Sequence, residues 1–427
     1  MTEKSILNLQ YEKYKLGNGL EVILYQDNSL PSIAVNIWYR VGSANEVKSK
    51  TGFAHLFEHM MFQGSENIPK EGHFRYIQEA GGNLNGSTSI DRTNYYETLP
   101  SNYLELALWL ESDRMGFMLP GLTQEKLDNQ KDVVMNERRQ RYENQPYGLS
   151  WEILFSNLFP EGHPYSWPTI GWMEDIAKFE LDDVRNFFKT YYVPNNATLV
   201  VGGNFETAST KDLVEKYFGG IQAGNSIPEI VVEKQTLNES KKVVHKDNVQ
   251  LPRIYLAWHT DKAFSADDAV LDILSEVLSS GKSSRFYKSL VIEKQIAQDV
   301  SSFQYSARLA GSFIVASTAK PGVELDTIKE VIFERIHDLI QNGIKEEELL
   351  RSKNSVISSF VYSLQKLDTI TDQMNHYNFY LGEPNSFSSD LARYESVTGE
   401  EVISTAKKYL LNPFVELHII PNTKEND

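Results

Sequence analysis

Hydrophobic and polar positions change their period several times along this chain, and each change marks an element. In LEVILYQD (20–27) and SIAVNIWYRVG (32–42), β-branched and aromatic residues cluster between Gly, Asn and Pro, which predicts two strands. Over TGFAHLFEHMMFQ (51–63) the period lengthens. At 100° per residue, Phe53, Leu56, Phe57, Met60 and Met61 share one side while His55, Glu58 and His59 share the other, as in an amphipathic helix. HFRYIQEAGG predicts a short helix stopped by Gly81 and Gly82. NLNGSTSIDRTNYYETLP (83–100) returns to strand character, two long amphipathic helices follow at 101–118 and 123–142, and NATLVVGGNF (196–205) is a strand ended by glycines.

IQAGNSIPEIVVEKQTLNESKK (221–242) has few packing residues and reads as an exposed connector. After it the order recurs: a strand RIYLAWHTD (253–261), a helical stretch at 265–280, and finally a strand VELHIIP (415–421). FFKTYYVPNNATLVVGG (187–203) and TAKKYLLNPFVELHIIP (405–421) share one layout of helix, turn and closing strand. This is an internal duplication: an N-terminal α+β domain over 1–222, a linker over 223–243 and a homologous α+β domain over 244–427. Strands mixed with helix pairs, without strict βαβ alternation, favour a mostly antiparallel sheet with helices on one face in each.

Length and composition narrow the chemistry. A chain of 427 residues suits two soluble globular domains. No apolar run reaches membrane-spanning length, and no nucleic-acid-binding basic face is expected at a formal charge of −16. MTEKSILNLQYEKYKLGNG shows no secretory signal, so a cytoplasmic location is expected, or a periplasmic one had a signal been removed. With no cysteine, a zinc site must use His and Asp or Glu.

A lone histidine on a helix is ordinarily solvated or a satisfied core residue. H-x-x-E-H on one helical face is different, because it arises by chance on the order of one per cent of the time in so histidine-poor a chain. Histidines at i and i+4 can share a tetrahedral metal, and Glu58 between them is placed to deprotonate a water. The pattern is the inverzincin signature. A third protein ligand is still needed, and the remaining histidines repeat no ligand spacing. On TQEKLDNQKDVVMNERRQRYEN, Leu127, Gln130, Val134 and Glu137 form one inward row in which Glu137 needs a partner; Glu97, Glu105 and Glu111 compete with it.

These motifs resemble the pitrilysin family of zinc peptidases, which includes insulin-degrading enzyme, the mitochondrial processing peptidases and paired bacterial peptidases. YRVGSANE (39–46), TGFAHLFEHMMFQGS, GGNLNGSTSIDRTNYYETLP, KDVVMNERR (131–139), HPYSWPTIGWMEDI (163–176) and YYVPNNATLVVGGNF (191–205) follow the family's order over nearly the whole chain. The resemblance implies one Zn2+ per chain held by His55, His59 and Glu137, with no other cofactor and with Glu58 as general base. It also implies an edge strand at Asn83, Leu84, Asn85 and Gly86 that takes extended peptide substrate. Two departures stand out. The family's supporting glutamate is Gln130 here, and its Arg and Tyr of the repeat half fall at Val291 and Gln298, with Arg285, Tyr287 and Tyr305 nearby. The implied function is therefore the zinc-bearing subunit of a heterodimer: an endopeptidase or oligopeptidase of short or unfolded peptides. Its two domains would form half of a clamshell chamber, and a homologous subunit lacking H-x-x-E-H would supply the Arg/Tyr pair. A homodimer is less favoured. The alternative is a non-catalytic scaffolding or peptide-binding homologue of the same fold.

Overall fold

The computed structural model describes residues 7–422, which form two compact units. One contains the chain up to Arg138, Trp167–Val231 and Ser363–Ser388; the other contains Arg139–Ser166, Val232–Tyr362 and the chain from Ser389. In the first, β1 (Glu12–Lys15), β2 (Glu21–Gln26), β3 (Ser32–Tyr39), β4 (Asn83–Thr88), β5 (Thr93–Pro100) and β6 (Ala197–Gly203) form a sheet in the order β1-β2-β6-β3-β5-β4. In the second, β7 (Lys241–Asp247), β8 (Arg253–Thr260), β9 (Ala297–Ser306), β10 (Gly311–Ala319) and β11 (Val415–Pro421) run in the order β7-β11-β8-β10-β9. Each sheet has a single parallel pair, β2 with β6 and β7 with β11, and every other pairing is antiparallel. With β1 set aside, the two sheets match strand for strand, so the fold is α+β and duplicated.

The helices before the connector are α1 (Phe53–Met60), α2 (Gly72–Glu79), α3 (Leu104–Phe117), α4 (Gln124–Arg138), α5 (Ser150–Leu158), α6 (Met173–Ile176), α7 (Leu181–Tyr191) and α8 (Thr207–Phe218). After it come α9 (Asp268–Ser279), α10 (Leu325–Asn342), α11 (Glu346–Ser363), α12 (Leu367–Leu381), α13 (Phe387–Ser396) and α14 (Gly399–Leu410). No helix among the described residues is long and apolar enough to cross a membrane.

The segment expected as one stretch of strand, 83–100, is a hairpin whose four-residue loop, Ser89–Arg92, separates β4 from β5. The second long helix expected to 142 is α-helical only to Arg138 and continues as a π-helical turn over Arg139–Glu143, where the chain passes from one unit to the other. The connector has no regular element up to Ser240, but its last residues, from Lys241, already belong to β7. KKVVHKD hid that strand because β7 is a sheet edge, whose exposed lysines blunt further pairing and dilute the hydrophobic signal.

Two segments are exchanged between the halves of the chain. Residues 139–166, with α5, belong to the second unit, where Trp151 packs on Phe303 at 5.4 Å between centroids. Residues 363–388, with α12, belong to the first, where α12 covers the face of the sheet on which Asn36 and Trp38 lie. Asp372 Oδ1 accepts from Asn36 Nδ2 (3.0 Å), Trp38 Nε1 (2.9 Å) and Asn94 Nδ2 (3.1 Å), and Asn375 Nδ2 donates to the Asn36 carbonyl (3.0 Å). Polar groups buried in a central strand need such partners, and here a helix from far along the chain brings them.

In the second unit Phe159 stacks on His163 (4.6 Å) and meets His259 edge-on (4.9 Å). Burial pushes both imidazoles down to about 4, with His259 adding to the effect on His163. Between the free-imidazole value near 6.5 and about 4, the unfolded chain takes up protons that the folded chain does not, so both histidines remove stability as the pH falls. Asp272, raised to about 7 by burial and by Asp268, acts in the opposite sense over its own range. His259→Gln is expected to reduce the loss of urea midpoint between about pH 7 and about pH 5. An identical loss in variant and wild type would remove His259 from this account.

Candidate metal centre

The site starts with the way α1 is held. Phe53, Leu56, Phe57, Met60 and Met61 are all buried, as their spacing predicts. Phe53 stacks on Phe179 at 3.8 Å, and Phe57 packs on Tyr192 (4.9 Å) and Phe187 (5.3 Å). This leaves the polar side of the helix half-buried, with His55, Glu58 and His59 on it. The helix N-terminus is capped by Glu46, whose two oxygens accept from the Gly52 (2.9 Å) and Ala54 (2.8 Å) N–H groups. Burial raises the Glu46 carboxyl well above the usual range although those N–H groups pull it down.

α4 brings the third donor. Leu127, Gln130 and Val134 are buried, and Glu137, one turn further on, reaches the histidines. His59 Nε2 lies 3.2 Å and His55 Nε2 3.9 Å from Glu137 Oε2, and one ligand atom from each of the three lies within 4.8 Å of the others. Donors around a tetrahedral zinc at bonds of about 2.0–2.1 Å stand about 3.3 Å apart, so two imidazole nitrogens and one carboxylate oxygen fit such an ion and leave a fourth position open. Gln130 is buried and its amide nitrogen donates to Asn129 Oδ1 at 3.0 Å.

Glu58 points to β4. Thr88 Oγ1 donates to Glu58 Oε2 at 2.7 Å. Burial raises the Glu58 carboxyl; the Thr88 hydrogen bond and His59 oppose this, while Glu137 adds to it. A Cβ on Gly86 would stand 3.1 Å from Glu58 Cγ, 3.2 Å from Tyr95 Cδ1 and 3.3 Å from Phe62 Cε2, so the edge strand lies directly against the carboxylate. β4 pairs with β5 alone and ends the sheet, so its other edge has no strand partner among the described residues. Asn83 and Asn85 on it are exposed, Leu84 is half-buried and Gly86 is buried. On the peptidase activity that the sequence resemblance implies, Gly86→Ala is expected to lower kcat/KM by about 10- to 100-fold, because the strand must move relative to Glu58. Wild-type kinetics in that variant would show that the contact does not matter.

The competing carboxylates are engaged elsewhere. Glu97 and Glu111 are buried beside Arg114, whose Nη2 lies 3.0 Å from Glu111 Oε1, and burial with the adjacent Glu111 raises the Glu97 carboxyl well above its usual range. Glu105 is exposed and accepts from Lys216 (2.7 Å) and Tyr217 (2.8 Å). A second close group, Asp326, Glu416 and His418, is already neutralised by Lys242, 3.3 Å from Asp326, and Lys329, 3.0 Å from Glu416.

In the repeat half, Val291 packs against the core and Gln298 is exposed on β9. Arg285 forks onto Glu348 (3.1 and 2.9 Å) and donates to the Gly343 carbonyl (2.8 Å), Tyr287 packs on the core, and Tyr305 lies against Phe155 (5.6 Å). Sequence reasoning did not single out Glu46 or Thr88. Glu46 lies in YRVGSANE six residues before Gly52, so an acidic residue just ahead of a helix was the available signal; Thr88 had none beyond its place at the end of the strand.

Residues 21–163 match the family model described as insulinase (peptidase family M16), and residues 178–356 match the one described as peptidase M16 inactive domain. The chain is 30% identical over 376 residues to the zinc protease PqqE of Helicobacter pylori, covering 86% of this chain and 83% of that one. A crystal structure of a protease from Helicobacter pylori superimposes with a TM-score of 0.91 at 26% identity, covering 97% of this chain and 100% of that chain. The peptidase M16 inactive domain of Pseudomonas fluorescens has the same fold, with a TM-score of 0.86 at 18% identity and coverage of 97% and 98%. With both halves matched in order and a zinc protease aligned over most of its length, this chain belongs to the insulinase family of peptidases, M16.

Proposed function

We propose that this protein is the zinc-bearing subunit of a metallopeptidase that hydrolyses short or unfolded peptides, with a homologous partner chain completing its chamber. The observation that carries this reading is the meeting of His55, His59 and Glu137 around one point, with Glu58 on the same helix side and the free edge of β4 beside it. His55, His59 and Glu137 would hold one Zn2+ per chain, which when bound supplies Lewis acidity to a peptide carbonyl and a water. Glu58 takes the water proton and passes it to the leaving amine. The edge of β4 at Asn83, Leu84, Asn85 and Gly86 adds the substrate as a further strand, so backbone hydrogen bonds bring the scissile peptide to Glu58 with little demand on side-chain identity.

The partner is inferred from Val291 and Gln298, which offer neither a cation nor a phenol in the repeat half. The same absence favours a second reading, a scaffolding or peptide-binding homologue without turnover. Metal analysis and a quenched-peptide assay, on the chain alone and with a homologous chain carrying the Arg/Tyr pair, separate the two. One zinc per chain with cleavage enhanced by the partner is expected. Zinc without cleavage even with the partner would favour the scaffold, and full activity alone would remove the partner.

A further inference from the structure

The helices that carry the three donors start or end on the same short segment, Trp167–Ile176. Gly52, three residues before His55, lies against it: a Cβ on Gly52 would come within 2.8 Å of the Ile170 carbonyl, and one on Gly171 would run into Gly52 Cα and Thr51 O. Both glycines have positive φ, 96° at Gly52 and 79° at Gly171, so the close approach and the backbone conformation both exclude a side chain. Thr51 is tied to the segment from both directions. Its N–H (3.2 Å) and Oγ1 (2.8 Å) donate to Asp175 Oδ2, and Oγ1 accepts from the Trp172 N–H (3.0 Å). On the other helix, Arg138 directly follows Glu137. Its guanidinium is buried, donates from Nη1 to the Gly171 carbonyl (3.0 Å) and lies over the Trp172 ring at 5.5 Å. Gly171 therefore touches the N-terminus of α1 through its Cα and the C-terminal turn of α4 through its carbonyl.

We infer that this segment is a clamp that sets the separation between the histidine pair and Glu137, with Arg138 and Gly171 as positioning residues for metal affinity. The inference rests on the zinc reading above. Arg138 follows Glu137 directly and its guanidinium is held on the Gly171 carbonyl and the Trp172 ring, so it acts by fixing the last turn of α4, while Gly171 fixes where α1 begins. Donors that must converge within tenths of an ångström are sensitive to such support, and loss of a supporting partner typically costs about 10- to 100-fold in metal affinity.

The test is zinc affinity of the full chain by competition with a chromogenic chelator, together with the melting temperature of the zinc-free protein. Arg138→Gln and Gly171→Ala are expected to weaken zinc binding about tenfold or more. Arg138→Lys, which keeps a donor for the Gly171 carbonyl, should recover part of the loss. Val214→Ala, a core truncation in α8, should lower the melting temperature while leaving zinc affinity unchanged, which separates positioning from general destabilisation. Should Gly171→Ala fail to fold, the Arg138 pair decides. Wild-type zinc affinity in folded Arg138→Gln overturns the clamp, as does an equal loss in Val214→Ala. A wild-type chain that binds no zinc overturns both the clamp and the zinc reading, whereas wild-type binding with insensitive clamp variants overturns the clamp alone.

Discussion

Glu58→Gln is expected to reduce peptide hydrolysis by about 10²- to 10⁴-fold while zinc content and melting temperature stay at wild-type values. The substitution is nearly isosteric. The amide oxygen can still accept the Thr88 hydroxyl that now lies 2.7 Å from Glu58 Oε2, and the buried face of α1 is untouched. What is lost is the ability to take a proton and return it, which an amide lacks. The effect should therefore fall on kcat, with KM for a peptide bound along β4 little changed, and a steady-state assay with metal analysis on the same sample reads both. Substantial activity in the variant would mean that another group is the base.

Glu137→Gln is expected to weaken zinc binding by more than about 100-fold and to abolish cleavage at limiting zinc, since a ligand contributes more than the partners that support it. Glu137 Oε2 lies 3.2 Å from His59 Nε2 and 3.9 Å from His55 Nε2, and the alternative acids cannot take its place without breaking other partnerships. Glu97 and Glu111 would have to leave Arg114 in the core, and Glu105 is held at the surface by Lys216 and Tyr217. Chelator competition reads the loss directly. Undiminished affinity in Glu137→Gln would require a ligand set that excludes it.

Much of the architecture is legible in one dimension because it is carried by local periods. The 3.6-residue spacing of Phe53, Leu56, Phe57, Met60 and Met61 alone places His55, Glu58 and His59 on the other side of one helix, and those five apolar residues are all buried. The parallel layouts of 187–203 and 405–421 likewise signal the duplication, and the two sheets match in strand order. β7 escaped this reading because an edge strand rich in lysine has no alternation strong enough to detect.

The pairing of donors from two helices is another matter. The row Leu127, Gln130, Val134, Glu137 points Glu137 inward but does not say toward what, and four acids remained candidates until packing set Glu97 and Glu111 beside Arg114 and Glu105 at the surface. Nor does local pattern show that α12 supplies the carboxylate for Asn36, Trp38 and Asn94, more than 270 residues away, or that Glu46 caps α1. From the sequence alone come the amphipathic H-x-x-E-H helix, the two repeats and the lack of thiol ligands, because each follows from composition or from neighbours a few residues apart. Tertiary structure alone decides which carboxylate meets the histidines and what holds the two helices at that spacing, because ligand distance depends on packing between segments that no local period relates.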